Sequence, residues 1–287
     1  MTGPHRLAAD AGHQFGGIEL DRTRPLTFRL DGRRVAGFAG DTVLSAVLAS
    51  GVDTLGTLDG APLALTARFY PQVSIKGGPP LPMDRVPAVD GLDLVTIGRR
   101  RSGLGQPTSL RHLLDVAAEP AWLHDTPAST LDTDLLVVGG GVAGLAAAEA
   151  AAASGRKVVL VERRPWLGGD ARYFGAVGDE ESPEALTTRL AAALAANPDV
   201  TLLRRAEAFA LSGGTALVHV VDTEPLAGRV LAIAARQVVL ATGATQRLPV
   251  FPGNRAPGVL PAIEAYHLAK RYGVSLGSSA IVATQGN

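Results

Sequence analysis

One stretch constrains the fold more than any other: DLLVVGGGVAGLAAAEAAAASGRKVVLVER, residues 134–163. A run of apolar, β-branched residues enters three glycines. An alanine-rich helical run follows, and a second β-branched strand ends on an acid. Strand–glycine turn–helix–strand places the chain in the α/β class. The glycines fall in the GxGxxG spacing at Gly139, Gly141 and Gly144. Gly139 permits the tight turn, Gly141 lets backbone approach a pyrophosphate, and Gly144 lets the helix pack close to the strand. Val142 and Ala143 open the helix, whose N-terminal N–H groups and partial positive charge suit phosphate. Ala143, Ala146, Ala147 and Ala148 keep that packing tight, and they are also good helix formers. Glu162 lies about twenty residues on, where a carboxylate accepts hydrogen bonds from a ribose diol. A carboxylate there repels a 2′-phosphate, which argues against NADP despite the neighbouring Arg163 and Arg164. The sequence therefore predicts a site for one adenine dinucleotide, FAD or NAD.

Further along, ERRPWLGGDAR places Gly168, Gly169 and Asp170 just beyond the acid. VVLATGATQRLPVFPGN places a second glycine turn, Ala241, Thr242 and Gly243, after a late strand. Between them, EALTTRLAAALAANPDV reads as a helix, and TLLRR, TALVHVVD and GRVLAIAARQVVLATGA read as strands. The acidic run at 179–181 precedes that helix and biases its N-terminus.

The N-terminal part reads differently. PLTFRLDGRRVAGFAGDTVLSAVLASGV is a hairpin turning at Asp31-Gly32, then a helix capped by Asp41 or Thr42 and stopped at Gly51. Residues 22–55 thus form a small ββα unit after an N-terminal extension, 1–21. Residues 56–130 are rich in Gly and Pro and read as a connector or as the remainder of that domain. KGGPPLPMDRVP is expected to hold no regular element, LDLVTIG reads as one short strand, and the arginines at 99–101 read as a solvated turn or partner contact.

Composition removes whole classes of function. The chain has 287 residues, enough for one large or two modest domains, with 27 basic and 27 acidic residues. That balance offers no electrostatic case for nucleic acid or an anionic membrane. No signal peptide or membrane span is visible, which gives a cytoplasmic expectation. The sequence contains 0 cysteines, so thiolate nucleophiles and zinc–thiolate sites are excluded, and no iron–sulfur cluster is expected. The histidines at 5, 13, 112, 124, 219 and 267 show no metal spacing, and no catalytic constellation emerges. His219, inside a strand, reads as a structural histidine.

The order of motifs resembles the glutathione-reductase-like flavoproteins with two dinucleotide-binding domains. The layout GGIELDRTRPLTFRLDGRRVAGFAGDTVLSAVLASGV, then the nucleotide domain, then ATGATQRLPVFPGNRAPGVLPAIEAYHLAKRYGV is more specifically similar to alpha subunits of heterotetrameric sarcosine oxidase and related amine, proline and opine dehydrogenase subunits. The likeness is good at 16–55 and 132–287 and poor between. It implies a Rossmann-like FAD/NAD(P)-binding domain, residues 131–287, preceded by a small ferredoxin-like α+β domain. It implies that Ala143, Glu162, Arg163, Arg164 and Asp170 line the dinucleotide. It also implies partner subunits of a hetero-oligomer, one of which carries the flavin that oxidises a small amine. In such proteins a nicotinamide-type domain interrupts the first nucleotide domain. SSAIVATQGN then reads as the first strand of the insert, residues 280–284. On that reading the first domain is left with an open sheet edge and a half-covered apolar face, which either a second chain completes or a truncated product of reduced stability leaves open. Two other readings stand beside this one: a stand-alone FAD/NAD-dependent oxidoreductase of the disulfide-reductase type, and a non-catalytic binding or assembly module or degenerate fragment.

Overall fold

The computed structural model describes residues 3–10, 15–58, 60–97, 109–112, 120–171, 175–176 and 178–284. The arginines at 99–101 and His13 lie outside them. The chain divides into two compact units, Met1–Pro120 with Gln246–Asn287, and Ala121–Thr245.

In the first unit β1 (Asp21–Leu30) and β2 (Arg33–Ala39) form an antiparallel hairpin. Its turn puts Asp31 at φ 55° and Gly32 at φ 79°, the two positive values that a two-residue turn of this twist demands. Helix α1 (Val43–Ala49) follows and is buried along its whole length. Thr42, not Asp41, is its cap: Thr42 Oγ1 accepts from Ser45 N at 3.1 Å, and Ser45 Oγ accepts from Thr42 N at 3.0 Å. Asp41 instead faces Arg6, with Nη2 to Oδ2 at 2.7 Å, and accepts from Ser45 Oγ and Phe38 N.

Strands β3 (Thr54–Leu58), β4 (Ala61–Ala64), β5 (Gln72–Ile75), β6 (Leu81–Pro82), β7 (Asp93–Thr96) and β8 (Ser109–His112) come next. They give regular structure to a segment read as a connector or as the remainder of the domain, and β7 is the short strand read in LDLVTIG. The five-stranded sheet runs β2-β1-β7-β5-β6 and a three-stranded sheet runs β4-β3-β8. The glycines and prolines that hid these strands sit at their ends. Pro82 is tolerated because β6 is a sheet edge, where a missing N–H costs no ladder bond. Even KGGPPLPMDRVP thus supplies a two-residue strand and two side chains with no exposure at all, Met83 and Val86.

The second unit contains β9 (Ser129–Val138), α2 (Val142–Ala153), β10 (Val158–Glu162), α3 (Pro183–Ala196), β11 (Val200–Arg204), β12 (Ala206–Ser212), β13 (Thr215–Thr223) and β14 (Leu226–Leu240). Its sheet runs β11-β10-β9-β14-β13-β12. The four strands β11, β10, β9 and β14 are parallel neighbours, while β12, β13 and β14 form an antiparallel meander. Side chains alternate between faces. Leu135, Val137, Val158 and Leu160 pack with Leu145, Ala148, Leu190 and Leu194 of the helices. Leu136, Val159 and Val161 face the other way and pack on Ala216, Val218, Leu231 and Ile233.

The second face is therefore covered, against the expectation of a half-covered one. The reason is the length of β14. Its first part pairs with β13 as far as Ala234, and its later part pairs with β9 as far as Leu240, so the meander folds across the sheet. From residue 235 onward β14 has β9 as its one ladder partner among the described residues. A turn at Ala121–His124 brings Trp122 onto His219, ring centroids 4.5 Å apart and nearly parallel.

After Thr245 the chain belongs to the first unit, where helix α4 (Ala262–Tyr272) ends at Gly273 with φ 57°. Residues 280–284 form no strand: they have no ladder partner among the described residues, and Ile281 and Val282 are 101% and 71% exposed. Apolar β-branched sequence does not become a strand without a neighbour to bond.

Candidate dinucleotide site

The glycine loop sits where β9 ends and α2 begins. Each glycine there has a separate reason, which an added Cβ makes plain. At Gly139, with φ 109°, a Cβ would lie 2.2 Å from the Ala241 carbonyl oxygen. At Gly144 it would lie 1.8 Å from the Gly139 oxygen. At Gly140 it would meet Leu167 Cδ2 at 2.6 Å. These three serve the fold. Gly141 differs: its φ of −77° suits any residue, and a Cβ there meets nothing nearer than Gly169 Cα at 3.9 Å. The space over Gly141 is open, and the protein itself does not require a glycine beside it.

Gly141 is the N-cap of α2, and no side chain caps the helix. Val142 and Ala143, the first residues of the helix, are exposed. The first-turn N–H groups thus open onto solvent beside a cradle without side chains, the arrangement that receives an anion. Of the alanines expected to tighten the packing, Ala148 is buried, whereas Ala143 and Ala146 face outward.

Glu162 is 8% exposed and ends β10 beside the loop. Its Oε2 accepts from Gly140 N at 2.7 Å, and its Oε1 accepts from Arg164 N at 2.7 Å. The carboxylate is fixed in place by backbone donors, and each oxygen keeps a further lone pair for a ligand hydroxyl. Gly140, with no place in the GxGxxG pattern, is the residue that spacing alone misses. The unbroken GGG run was its one signal.

Gly168 and Gly169, with φ of 102° and 56°, form a turn seated on the glycine loop. Gly168 N donates to Gly140 O at 2.7 Å, and a Cβ on Gly169 would come 3.0 Å from Gly141 Cα. Asp170 then reaches Arg164, Oδ1 to Nη1 at 2.9 Å. Arg163 points to Glu207 of β12, Nε to Oε1 at 3.5 Å. On the third side, Ala241 N donates to Val138 O at 2.8 Å as β14 leaves the sheet, and Thr242 and Gly243 follow. Gly243 is needed for its φ of 70° rather than for space, since a Cβ would meet nothing within 4 Å. All fourteen residues anticipated for the site lie on these three segments: Gly139–Gly144 at the loop, Glu162–Asp170 beyond β10, and Ala241–Gly243 beyond β14. Among the described residues no group of three or more acids or histidines could hold a metal, and no helix is long and apolar enough to cross a membrane.

Residues 133–281 match the family described as pyridine nucleotide-disulphide oxidoreductase. Residues 23–96 match the family described as 2Fe-2S iron-sulfur cluster binding domain. The second match corrects the expectation of no iron–sulfur cluster, which rested on cysteine content: the fold of a cluster-binding domain is specified by its strands and helix, and these need no thiolate. The ligands are a separate matter. With 0 cysteines the chain does not offer a thiolate set, so the residues present do not fit the group and no step below passes through a cluster.

Among curated proteins, the chain is 33% identical to sarcosine oxidase subunit alpha of Corynebacterium sp. strain U-96, over 99% of this chain and 30% of that protein. It is 32% identical to the subunit of the same name from strain P-1, over 98% of this chain and 30% of that one. The chain thus spans about a third of the length of the curated relatives it matches. Among solved structures, L-proline dehydrogenase from P. horikoshii shares the fold with a TM-score of 0.64 at 24% identity, over 90% of this chain and 48% of that one.

Proposed function

The chain belongs to the pyridine nucleotide-disulphide oxidoreductase family, and from that premise we propose that it is the dinucleotide-binding part of an alpha-type subunit of a flavin-dependent amine oxidoreductase, of sarcosine oxidase type. One observation carries the reading: nearly the whole chain, both units included, aligns with the sarcosine oxidase alpha subunits.

The residues fit an adenine dinucleotide. The open space at Gly141 and the uncapped start of α2 receive the pyrophosphate. Glu162, held by Gly140 and Arg164, presents its remaining lone pairs to the adenosine ribose. The second glycine turn at Ala241, Thr242 and Gly243 borders the same loop. Such a cofactor supplies hydride chemistry, and this chain's part is to bind and orient it. The amine substrate and its acid–base groups belong to a partner subunit in this proposal, and a cytoplasmic location goes with it. A disulfide-reductase reading is less well supported, because a chain with 0 cysteines has no dithiol to cycle.

The test is to purify the chain alone and together with its encoded neighbours. Each preparation is scanned for flavin absorbance and assayed for turnover of sarcosine with an artificial electron acceptor. The proposal expects turnover only from the complex. Amine oxidation by the isolated chain would move the catalytic groups into it and overturn the subunit reading.

A further inference from the structure

Two arginines follow Glu162 in sequence, and a guanidinium is the side chain best matched to a phosphate. In this protein both are already engaged. Arg164 Nη1 lies 2.9 Å from Asp170 Oδ1, and Arg163 Nε lies 3.5 Å from Glu207 Oε1. The first pairing follows from the loop architecture. The backbone of Arg164 is fixed through its N–H to Glu162. Asp170 is fixed because the Gly168-Gly169 turn is hydrogen-bonded to the glycine loop and pressed against Gly141. The turn therefore does more than close the site, for it delivers a carboxylate to the arginine next to the ribose-binding acid.

We infer that Asp170, with Glu207 in a lesser role, determines selectivity against 2′-phosphorylated dinucleotides. Asp170 holds Arg164, and Glu207 holds Arg163, away from the place where a 2′-phosphate on the adenosine ribose would need a cation. Glu162 alone disfavours that phosphate through charge. Asp170 removes the remedy, since an adjacent free arginine would otherwise neutralise it. It also adds a second negative charge on the same side. The inference rests on the dinucleotide reading above and deepens it: the ligand is NAD or FAD, with a free 2′-hydroxyl. The pairs are about one-third exposed, with side-chain exposures of 34% and 31% for Arg164 and Asp170, so each is weak on its own and readily given up when its partner carboxylate is removed.

The experiment uses the full chain and two probes, ADP-ribose and 2′-phospho-ADP-ribose, titrated calorimetrically at fixed ionic strength. The readout is the ratio of the two affinities within each variant, so that a general weakening of the site cancels. The wild-type chain is expected to favour ADP-ribose at least about tenfold. Asp170→Asn should narrow that preference by about tenfold, the worth of one charge-assisted hydrogen bond to phosphate. Asp170→Glu, which keeps the charge, should retain the preference. Asp170→Asn combined with Arg164→Ala should restore it, because the released arginine is then gone. Glu207→Gln should give a smaller change, in keeping with its longer contact.

A ratio unmoved by Asp170→Asn, or moved equally by Asp170→Glu, overturns the inference while leaving ADP-ribose binding, and so the dinucleotide site, intact. A wild-type chain that binds neither probe refutes the dinucleotide reading and this inference with it.

Discussion

Replacing Gly144 by alanine sets two effects of opposite sign against each other. Within a helix, alanine is favoured over glycine by about 1 kcal/mol, so propensity alone makes Gly144→Ala stabilising. The packing says otherwise. The new Cβ would stand 1.8 Å from the Gly139 carbonyl oxygen, 3.0 Å from its carbon and 3.3 Å from Ala241 Cβ. The first two are backbone atoms, so no rotamer change relieves the overlap, and α2 must move away from the end of β9. Overpacking of this kind costs roughly 1–3 kcal/mol and occasionally more. A backbone overlap this deep belongs at or above the top of that range. After the propensity gain, a net loss of about 2 kcal/mol is expected, equivalent to a fall in Tm of roughly 4–8 °C for a protein of this size. Differential scanning calorimetry of wild type and variant measures it, with near-ultraviolet circular dichroism to confirm native packing. An unchanged or raised Tm would mean that α2 does not start against Gly139, and the account of the glycine loop would fail with it.

Two further predictions concern the first unit. Arg6→Ala takes from Asp41, whose side chain has 0% exposure, its hydrogen-bonded cation, leaving Ser45 and Phe38 as neutral donors and Arg22 as a nearby charge. Loss of about 3 kcal/mol or more is expected in urea unfolding. Glu264, in the first turn of α4, accepts from Ala67 N at 2.6 Å, and burial raises its carboxyl above the ordinary range, with Arg68 pulling the other way. A raised acid stabilises the fold while protonated, so this contribution is present at low pH and is lost as pH rises through the folded-state value. Glu264→Gln keeps an acceptor for Ala67 and removes the titration. The variant should match wild type near pH 4 and exceed it in Tm at neutral pH, and equal pH dependence in both proteins would refute the assignment.

How far the sequence could be read depends on where each interaction lies along the chain. The βαβ core was legible because β9, α2 and β10 are consecutive and their periods are unbroken. The GxGxxG spacing and the acid that follows are local as well. The Asp31-Gly32 hairpin and the Thr42 cap were legible for the same reason, although choosing Thr42 over Asp41 needed Arg6, 35 residues away. The strand in LDLVTIG was legible and is β7, but β3 to β6 and β8 were obscured because they are short and lie in a segment rich in Gly and Pro, where turns interrupt any period. The meander closing the second face was hidden in the double role of β14, which no periodicity reports. The reading of residues 280–284 failed because β propensity describes side chains fitted to a sheet, not a sheet. In the site, sequence supplied the glycines and Glu162. It could not separate the glycines that the fold requires from Gly141, since that distinction lies in which direction a Cβ would point and what it would meet. The ferredoxin-like domain was legible by resemblance, but the expectation of no cluster drew on cysteine content, which speaks to ligands, while the match at residues 23–96 follows the fold.

That distinction gives the sharpest test of the dinucleotide site. Gly141→Ala places one methyl group in space where the nearest protein atom, Gly169 Cα, is 3.9 Å away, and its backbone conformation suits alanine. Alanine is a poorer N-cap than glycine, by roughly 1 kcal/mol or less, so the fold should hold its Tm to within about 2–4 °C. The pyrophosphate would meet the methyl group directly. Calorimetric titration of wild type and Gly141→Ala with NAD, FAD and ADP-ribose should find one-to-one binding of an adenine dinucleotide to wild type and loss of at least about a hundredfold in the variant, as for a few kcal/mol of steric exclusion. Undiminished affinity in a folded Gly141→Ala protein would place the ligand elsewhere and contradict the assignment of this loop.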